Sequence, residues 1–307
     1  MEIDDILILG AGWTATFLIP LLRRHKLTFS ATTSDGRTVA GAPTLKFRFD
    51  PSKPSEEQTQ VFAPLPPARY VLITFPLKGP DESGVLTEAY LMTHGGPTAA
   101  RFIQLGSTGF WKEDPAQKPW LDRTSPYDRT GARAVAEDAL RALGGCVLNL
   151  AGLWGGERDP RHWVDRVATT KAAVREKTSL HMIHGEDVAR VIVGLIYRCN
   201  EEGNWDKFGR GQRWMVTDGF VYDWWSLFAG WADTAEQKEE NEGDIHDGAM
   251  LMERYGPSKQ AKWVYELMTE EGVRALPRGE ERLGRCYDTR ELWRMLGIAP
   301  LKGGVGL

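Results

Sequence analysis

The chain has 307 residues, of which 42 % are hydrophobic and 26 % charged, which is typical of a globular α/β domain with or without a smaller lobe. Its net charge of −4 arises from interspersed acidic and basic residues, which excludes an electrostatic footprint for nucleic acid or an anionic membrane. The apolar runs are too short to span a bilayer, and the acidic start argues against a targeting peptide. The three cysteines, Cys146, Cys199 and Cys286, are widely spaced, which favours reduced thiols and a cytoplasmic location.

Short apolar runs alternate with helical patterns through the first two-thirds of the chain, which is typical of βαβ units around a parallel sheet. The first strand is predicted at residues 6–9, where a continuous apolar run indicates burial on both faces. A helix follows, although Pro20 should kink or weaken it. The other predicted strands cover residues 27–33, 45–49, 70–75, 101–105, 146–150 and 213–216. The other predicted helices cover residues 85–93, 130–143, 186–199, 221–232, 259–269 and 289–296.

Two glycines, Gly10 and Gly12, lie between the first strand and the first helix. Gly10 allows a tight turn, Gly12 allows the backbone to approach a pyrophosphate, and Ala15 leaves room for the helix to pack on the strand. The helix begins near Trp13 and Thr14, and the free N–H groups of a helix start bind phosphates. A merely tight turn is the alternative, but the position at the start of a βαβ series favours a dinucleotide-binding turn.

These elements predict an α/β fold, a Rossmann-type doubly wound parallel sheet of about seven strands. We expect residues 1–152 to form the dinucleotide-binding core. Residues 153–307 would add the remaining sheet elements, at about 180–217, and a small C-terminal substrate lobe. The charged stretch 236–248 is predicted to be a mobile surface loop.

The end of the second strand bears on the choice of cofactor. An NAD enzyme usually has an Asp or Glu there for the ribose 2′-hydroxyl. This chain has Thr33 and Ser34, with Arg37 close behind, and hydroxyls with a guanidinium suit a 2′-phosphate. The pattern favours NADP over NAD, which stays possible if Asp35 turns inward.

Polar and aromatic residues follow two further strands, at the sheet edge where open α/β folds bind ligands. Asp50, after the third strand, could accept a hydrogen bond from the adenine amino group. Thr74, Phe75 and Pro76, after the fourth strand, would lie along the cofactor. Ordinary loop residues are the alternative for each position.

The order of these motifs resembles the extended short-chain dehydrogenase/reductases, which include the sugar-nucleotide epimerases and dehydratases, over roughly residues 5–220. The segments that carry the resemblance are residues 10–12 (Gly-Ala-Gly), 105–111 (Leu-Gly-Ser-Thr-Gly-Phe-Trp), 133–137 (Arg-Ala-Val-Ala-Glu), 148–155 (Leu-Asn-Leu-Ala-Gly-Leu-Trp-Gly) and 184–189 (His-Gly-Glu-Asp-Val-Ala). The resemblance implies a Ser or Thr after the fifth strand and a Tyr-x-x-x-Lys pair on the next helix as catalysts.

This chain matches only part of that catalytic set, and it resembles the atypical members of the family. Ser107 fits the first position, but Arg133 stands at the Lys position and Arg129 at the Tyr position. Arg133 could bind ribose or a substrate anion, although its high pKa makes it a poor proton shuttle. Tyr127, two residues early, is one candidate acid. His184 and a water held by Ser107 are the others.

The sequence therefore predicts an NADP(H)-binding oxidoreductase or epimerase-like protein that acts on a small polar or sugar-like carbonyl substrate. A non-catalytic NADP(H)-binding sensor or regulatory protein is the alternative. A third hypothesis is an interaction protein without nucleotide affinity. The substrate and the oligomeric state stay open.

Three other groups of residues have weaker signals. His181, His184 and Asp187 lack further ligands, so we expect structural histidines and no metal. The aromatic residues between Trp224 and Trp231 are spaced as a helical core face or a pocket wall. The basic residues at 158–162 could meet an anionic substrate or form a solvated loop.

Overall fold

The structure, a computed structural model, describes residues 2–96, 100–112, 120–232 and 257–305. The strands are β1 (Asp4–Leu9), β2 (Phe29–Thr33), β3 (Leu45–Lys46), β4 (Ala68–Ile73), β5 (Arg101–Ser107), β6 (Trp120–Leu121), β7 (Cys146–Leu150), β8 (Gly152–Trp154), β9 (Ser179–Leu180), β10 (Met182–His184), β11 (Arg213–Val216), β12 (Tyr222–Asp223) and β13 (Cys286–Tyr287). The α-helices are α1 (Trp13–Arg24), α2 (Ser55–Phe62), α3 (Glu82–Thr93), α4 (Ala132–Ala142), α5 (Val164–Val167), α6 (Lys171–Arg175), α7 (Gly185–Asn200), α8 (Trp224–Gly230), α9 (Lys259–Glu270) and α10 (Arg290–Leu296).

The central sheet has seven strands in the order β11-β7-β5-β4-β1-β2-β3, and every pairing in it is parallel. This confirms the predicted Rossmann-type α/β fold. Strand β1 lies between β2 and β4, so the chain order reverses there, and ligands of open α/β sheets bind at such a reversal, outside the carboxyl ends of the strands.

The apolar run of β1 is buried on both faces of the sheet because its side chains alternate between two cores. Ile6 and Ile8 face the core that also contains side chains of α1, α7 and α10. Leu7 and Leu9 face the core that contains side chains of α2, α3 and α4. All four side chains are fully buried, and each such burial stabilises the fold by about 1.5–3 kcal/mol.

The two predicted parts of the chain share the first of these cores. Ile183, Val188 and Trp214, which follow residue 152, pack in the same cluster as Ile6. The aromatic residues of β12 and α8 belong to a separate cluster. Trp224, Trp225, Phe228 and Trp231 are all buried there, so the helical spacing marked a core face.

Several local predictions differ from the structure. Helix α2 was not predicted, because its sequence is mostly polar and only two of its side chains, Gln58 and Phe62, are buried. Strand β3 is confined to two exposed residues at the sheet edge. Helix α1 continues through Pro20, which lies on its exposed side. The segment 236–248 lies outside the described residues, and within the described residues no helix is long and apolar enough to cross a membrane.

Candidate functional site

The turn between β1 and α1 is held in place by the ends of β2 and β4. Gly10 has a φ of 89°, and a Cβ there would lie 2.8 Å from Thr74 Oγ1 and 3.0 Å from Phe75 Cδ1. The backbone N–H of Gly10 donates to Thr32 Oγ1 at 3.0 Å, and Thr74 Oγ1 donates to the Leu9 carbonyl at 3.0 Å. The fold itself therefore requires glycine at position 10.

Gly12 differs from Gly10, because the packing of the protein leaves room for a side chain there. A Cβ on Gly12 would have the Gly10 carbonyl oxygen, at 3.9 Å, as its nearest neighbour, and its φ is −95°. Gly12 is the N-cap of α1 and provides no side-chain cap for the first turn, which begins with Trp13 and Thr14. Exposed N–H groups at such a helix start are suited to an anion.

A cleft of about 310 Å³ lies beside this turn, at the carboxyl edge of the sheet. It brings together six residues that the sequence predicted as cofactor-binding: Gly10, Gly12, Thr33, Ser34, Arg37 and Phe75. It also contains three residues that the sequence reasoning missed: Phe47, Arg48 and Phe49. The rings of Phe49 and Phe75 are stacked at a centroid distance of 6.2 Å, so the cleft has an aromatic wall, and two arginines also line it.

Some of the polar side chains in the loop after β2 form hydrogen bonds with neighbouring residues of the protein. The Thr33 hydroxyl lies 2.7 Å from Thr44 Oγ1 and accepts from the Gly36 N–H at 2.8 Å. Arg37 donates through Nη1 to Asp35 Oδ1 at 3.0 Å. Partial desolvation raises the pKa of Asp35, but hydrogen bonds from Thr33 and Arg37 outweigh it and hold this pKa below its ordinary value.

Three other residues predicted to bind the cofactor, Asp50, Thr74 and Pro76, are close in sequence to residues of the cleft but do not line it. Asp50 accepts from the backbone and hydroxyl of Ser52 at 3.1 and 2.7 Å, which lowers the pKa of Asp50, and it is not among the cleft-lining residues. Thr74 is bound to the backbone of the glycine turn through Leu9 and Gly10. Pro76 is exposed beside Phe75.

Trp13 connects the start of α1 to the loop that follows β8. Its indole Nε1 donates to the Gly155 carbonyl at 3.0 Å. Gly155 and Arg158 form an antiparallel bridge, and the Arg158 guanidinium lies 4.3 Å from the centroid of the Trp13 ring. The loop therefore places a cation next to the first residue of α1.

Ser107 and Arg133 lie at the carboxyl end of β5 and are connected by Glu137. The Ser107 hydroxyl accepts from the Gly109 N–H at 3.1 Å, and the Ser107 N–H donates to Glu137 Oε1 at 3.2 Å. Arg133 donates through Nη2 to the Leu105 carbonyl at 3.2 Å, and its Nε lies 3.3 Å from Glu137 Oε1. The two predicted residues thus share one carboxylate.

Glu137 is a further residue of this site, and the sequence did not predict it. Burial raises the pKa of Glu137, against a hydrogen bond from Asn149 and the charges of Arg213 and Arg133, which lower it. In the sequence, Gly106 is the residue that could have indicated Glu137, because a glycine inside a strand is typical of a position where another group closely approaches the backbone.

Solved structures with a similar fold cover nearly the whole chain, whereas no family model and no curated protein sequence matches it. A proposed NAD-dependent epimerase/dehydratase from Methylobacillus flagellatus has a TM-score of 0.58 at 16 % identity, covering 95 % of this chain and 92 % of its own. The protein MoeE5 in complex with UDP-glucose and NAD has a TM-score of 0.55 at 14 % identity, covering 97 % of this chain and 94 % of its own. A short-chain dehydrogenase/reductase superfamily protein from Agrobacterium tumefaciens with bound NAD has a TM-score of 0.58 at 10 % identity, covering 97 % and 93 %. The chain therefore shares the fold of these three proteins.

Tyr127, the candidate acid, is hydrogen-bonded to an acidic side chain of α4. Its hydroxyl donates to Asp138 Oδ1 at 2.6 Å, whereas the Ser107 hydroxyl accepts from Gly109. Its ring centroid lies 5.4 Å from that of Trp111. Burial and the bond to Asp138 raise the pKa of Tyr127, so the phenol is a weaker acid than usual.

The two histidines have structural partners. His184 caps α7 by accepting from the Glu186 N–H at Nδ1 (3.1 Å), and burial lowers its pKa. His181 is buried and accepts from the Tyr287 N–H at Nε2 (3.1 Å); burial lowers its pKa to about 3. Within the described ranges, no group of three or more His, Cys, Asp or Glu could hold a metal ion.

Proposed function

We propose that the protein is an NADP(H)-binding oxidoreductase or epimerase-like protein that acts on a small polar or sugar-like carbonyl substrate. The observation that carries this proposal is the cleft at the carboxyl edge of the sheet. There the glycine turn, the uncapped start of α1 and two arginines, Arg37 and Arg48, line one space. This combination suits a dinucleotide with an additional phosphate. Two of the structures with this fold contain NAD, which supports a nicotinamide dinucleotide.

The residues present fit such a cofactor. The pyrophosphate would lie against Gly12, where the chain has no side chain and room for one, and Arg158 would add a positive charge beside Trp13. Ser34, Arg37 and Arg48 would bind the 2′-phosphate.

The nicotinamide would supply or accept a hydride, and Ser107 and Arg133 would contact the substrate or the ribose of the cofactor. Ser107 is half-buried at the end of β5, and its hydroxyl hydrogen can be donated to a substrate oxygen because its Oγ is already an acceptor for Gly109. Arg133 would hold the ribose or a substrate anion with its guanidinium.

A non-catalytic NADP(H)-binding sensor is the second candidate. The observation that favours it is the bond from the Tyr127 hydroxyl to Asp138, with an arginine where the resemblance implies the catalytic lysine. Both candidates agree with a reducing, cytoplasmic location, which we also propose because Cys146, Cys199 and Cys286 are free and buried.

The deciding experiment is a titration of the purified protein with NADPH and NADH, followed by nicotinamide fluorescence, and then a panel of sugar-like and small polar carbonyl compounds with NADPH. Binding with turnover that Ser107→Ala abolishes supports the enzyme. Binding without turnover on the panel supports the sensor. If neither nucleotide binds at high micromolar concentration, both candidates are wrong.

A further inference from the structure

Glu137 has a buried carboxylate that contacts Ser107 and Arg133, the two residues that have roles in the proposed reaction. We infer that Glu137, together with Asn149, is a positioning device that fixes the Ser107 backbone and the Arg133 guanidinium relative to each other. This inference rests on the proposed function, because it takes Arg133 to contact the cofactor or substrate.

Both backbone groups of Ser107 are held by buried side chains from neighbouring elements. Glu137, on α4, accepts from the Ser107 N–H at 3.2 Å. Asn149, on β7, donates through Nδ2 to the Ser107 carbonyl at 2.9 Å and to Glu137 Oε2 at 2.6 Å. Glu137 and Asn149 have no solvent exposure. The end of β5 is therefore fixed by a carboxylate and an amide that are bonded to each other.

Gly106 makes this arrangement possible. A Cβ at position 106 would lie 2.5 Å from Asn149 Nδ2 and 2.7 Å from Glu137 Oε1. Any side chain there would separate the carboxylate and the amide from the backbone that they hold. The glycine before Ser107 is therefore explained by the approach of Glu137 and Asn149.

The same carboxylate also orients Arg133. Its oxygen Oε1 lies 3.3 Å from Arg133 Nε, and the Leu105 carbonyl accepts from Arg133 Nη2 at 3.2 Å. Nη2 is therefore hydrogen-bonded and the Glu137 carboxylate lies beside Nε, while neither Nε nor Nη1 has a hydrogen-bond partner in the described part of the chain. The side chain is 39 % exposed, so it is accessible to a ligand.

A second arginine, Arg213, compensates the buried charge of Glu137 even without Arg133. Arg213 is 2 % exposed, and its Nη2 lies 3.4 Å from Glu137 Oε2 and 3.2 Å from Asp138 Oδ1. A merely structural carboxylate would need only this partner, since a buried charge requires compensation. The contact with half-exposed Arg133 is additional, which indicates that Glu137 also serves the site.

The test is a double-mutant cycle on NADPH affinity with wild type, Glu137→Gln, Arg133→Ala and the double variant. Glutamine keeps the shape but removes the charge that attracts Arg133. We expect Glu137→Gln to weaken NADPH binding about tenfold in the wild type and to have no further effect in the Arg133→Ala background. Asp138→Asn is the matched control, because Asp138 is the next residue on α4 and also contacts Arg213, but in the described part of the chain it contacts neither Ser107 nor Arg133. It should leave the affinity unchanged.

Amide hydrogen exchange at Ser107 gives a second measurement that needs no ligand. Glu137→Gln should accelerate exchange of the Ser107 N–H, and Asp138→Asn should not. If Glu137→Gln does not fold, Asn149→Ser replaces it in both measurements, with the same expected direction.

The outcomes separate this inference from the proposed function. Absence of NADPH and NADH binding by the wild type overturns the proposed function and the role of Arg133 with it. Binding by the wild type with equal losses from Glu137→Gln in both backgrounds, or with no loss, overturns the inference alone. Unchanged Ser107 exchange overturns the claim that Glu137 fixes the Ser107 backbone.

Discussion

Arg37 and Asp35 form an ion pair within the loop that follows β2, with Nη1 and Oδ1 at 3.0 Å. Both side chains are more than half exposed, at 55 % and 57 %, so water screens the pair and it adds little to stability. Because the pKa of Asp35 is held below its ordinary value, its carboxylate is charged at neutral pH. The carboxylate therefore orients Arg37 toward the loop and at the same time opposes a phosphate in the cleft.

This pair predicts how two substitutions change cofactor affinity. Arg37→Ala removes a charged donor to the 2′-phosphate, so NADPH binding should weaken by about 10- to 100-fold while NADH binding changes little. Asp35→Asn removes the opposing charge and should tighten NADPH binding. Titration of each variant with both nucleotides measures these effects, with Arg24→Ala, an exposed arginine at the end of α1, as control. Equal losses for NADPH and NADH in Arg37→Ala would contradict the assignment.

The two glycines of the turn predict opposite effects of the same change. Gly10→Ala places a Cβ 2.8 Å from Thr74 Oγ1 at a φ of 89°, so it should lower the melting temperature markedly. Gly12→Ala meets nothing closer than 3.9 Å, so the melting temperature should stay within about 2 °C of the wild type while NADPH binding falls. Thermal unfolding and NADPH titration of the two variants check this. Normal NADPH affinity in Gly12→Ala would show that no ligand approaches that backbone.

The sequence predicted the glycine turn and the sheet because both are determined by residues that are close together in the chain. The turn and the strand ends follow each other directly in the chain, and parallel strands bring their carboxyl ends to one edge. Thr33, Ser34 and Arg37 could be assigned to the cleft for this reason. Arg48 and Phe49 could not, because their place in the cleft depends on how the loop after β3 turns back.

The polar network around Ser107 could not be predicted for a different reason. The apolar spacing of the helix at 130–143 included Ala136 and Leu140, which are buried, but the structure also buries Glu137. A carboxylate is rarely buried without partners, and its partners Asn149 and Arg213 come from distant strands. Helical periodicity contains no information about such long-range compensation.

Tyr127 can be tested directly as a candidate acid. Its hydroxyl is bonded to Asp138, so Tyr127→Phe should cost about 1 kcal/mol of stability and leave NADPH affinity unchanged. Any carbonyl reduction found for the wild type should persist in this variant. Denaturant unfolding, NADPH titration and turnover measure the three quantities. A loss of turnover at unchanged NADPH affinity would show that the phenol leaves Asp138 and serves as the acid.

Asp218, which follows β11, has the environment of a carboxyl group whose charge is unfavourable. It is 3 % exposed and accepts hydrogen bonds from the Tyr222 hydroxyl and the Phe220 N–H. Burial raises its pKa to about 6, and the charge of Asp187 adds to this, while the hydrogen bonds lower it. The ordinary value is 3.8, so between pH 4 and pH 6 the folded protein keeps a proton that the unfolded chain has lost.

The sign of the resulting pH dependence follows from that difference. The folded state binds more protons in this window, so the contribution of Asp218 to the free energy of unfolding falls as the pH rises, by on the order of 3 kcal/mol in total. Asp218→Asn cannot titrate but keeps an oxygen to accept from Tyr222. The variant should therefore gain stability relative to the wild type as the pH is raised from 4 to 7. Urea unfolding of both proteins across this range measures the difference, and a difference independent of pH would show that Asp218 has an ordinary pKa.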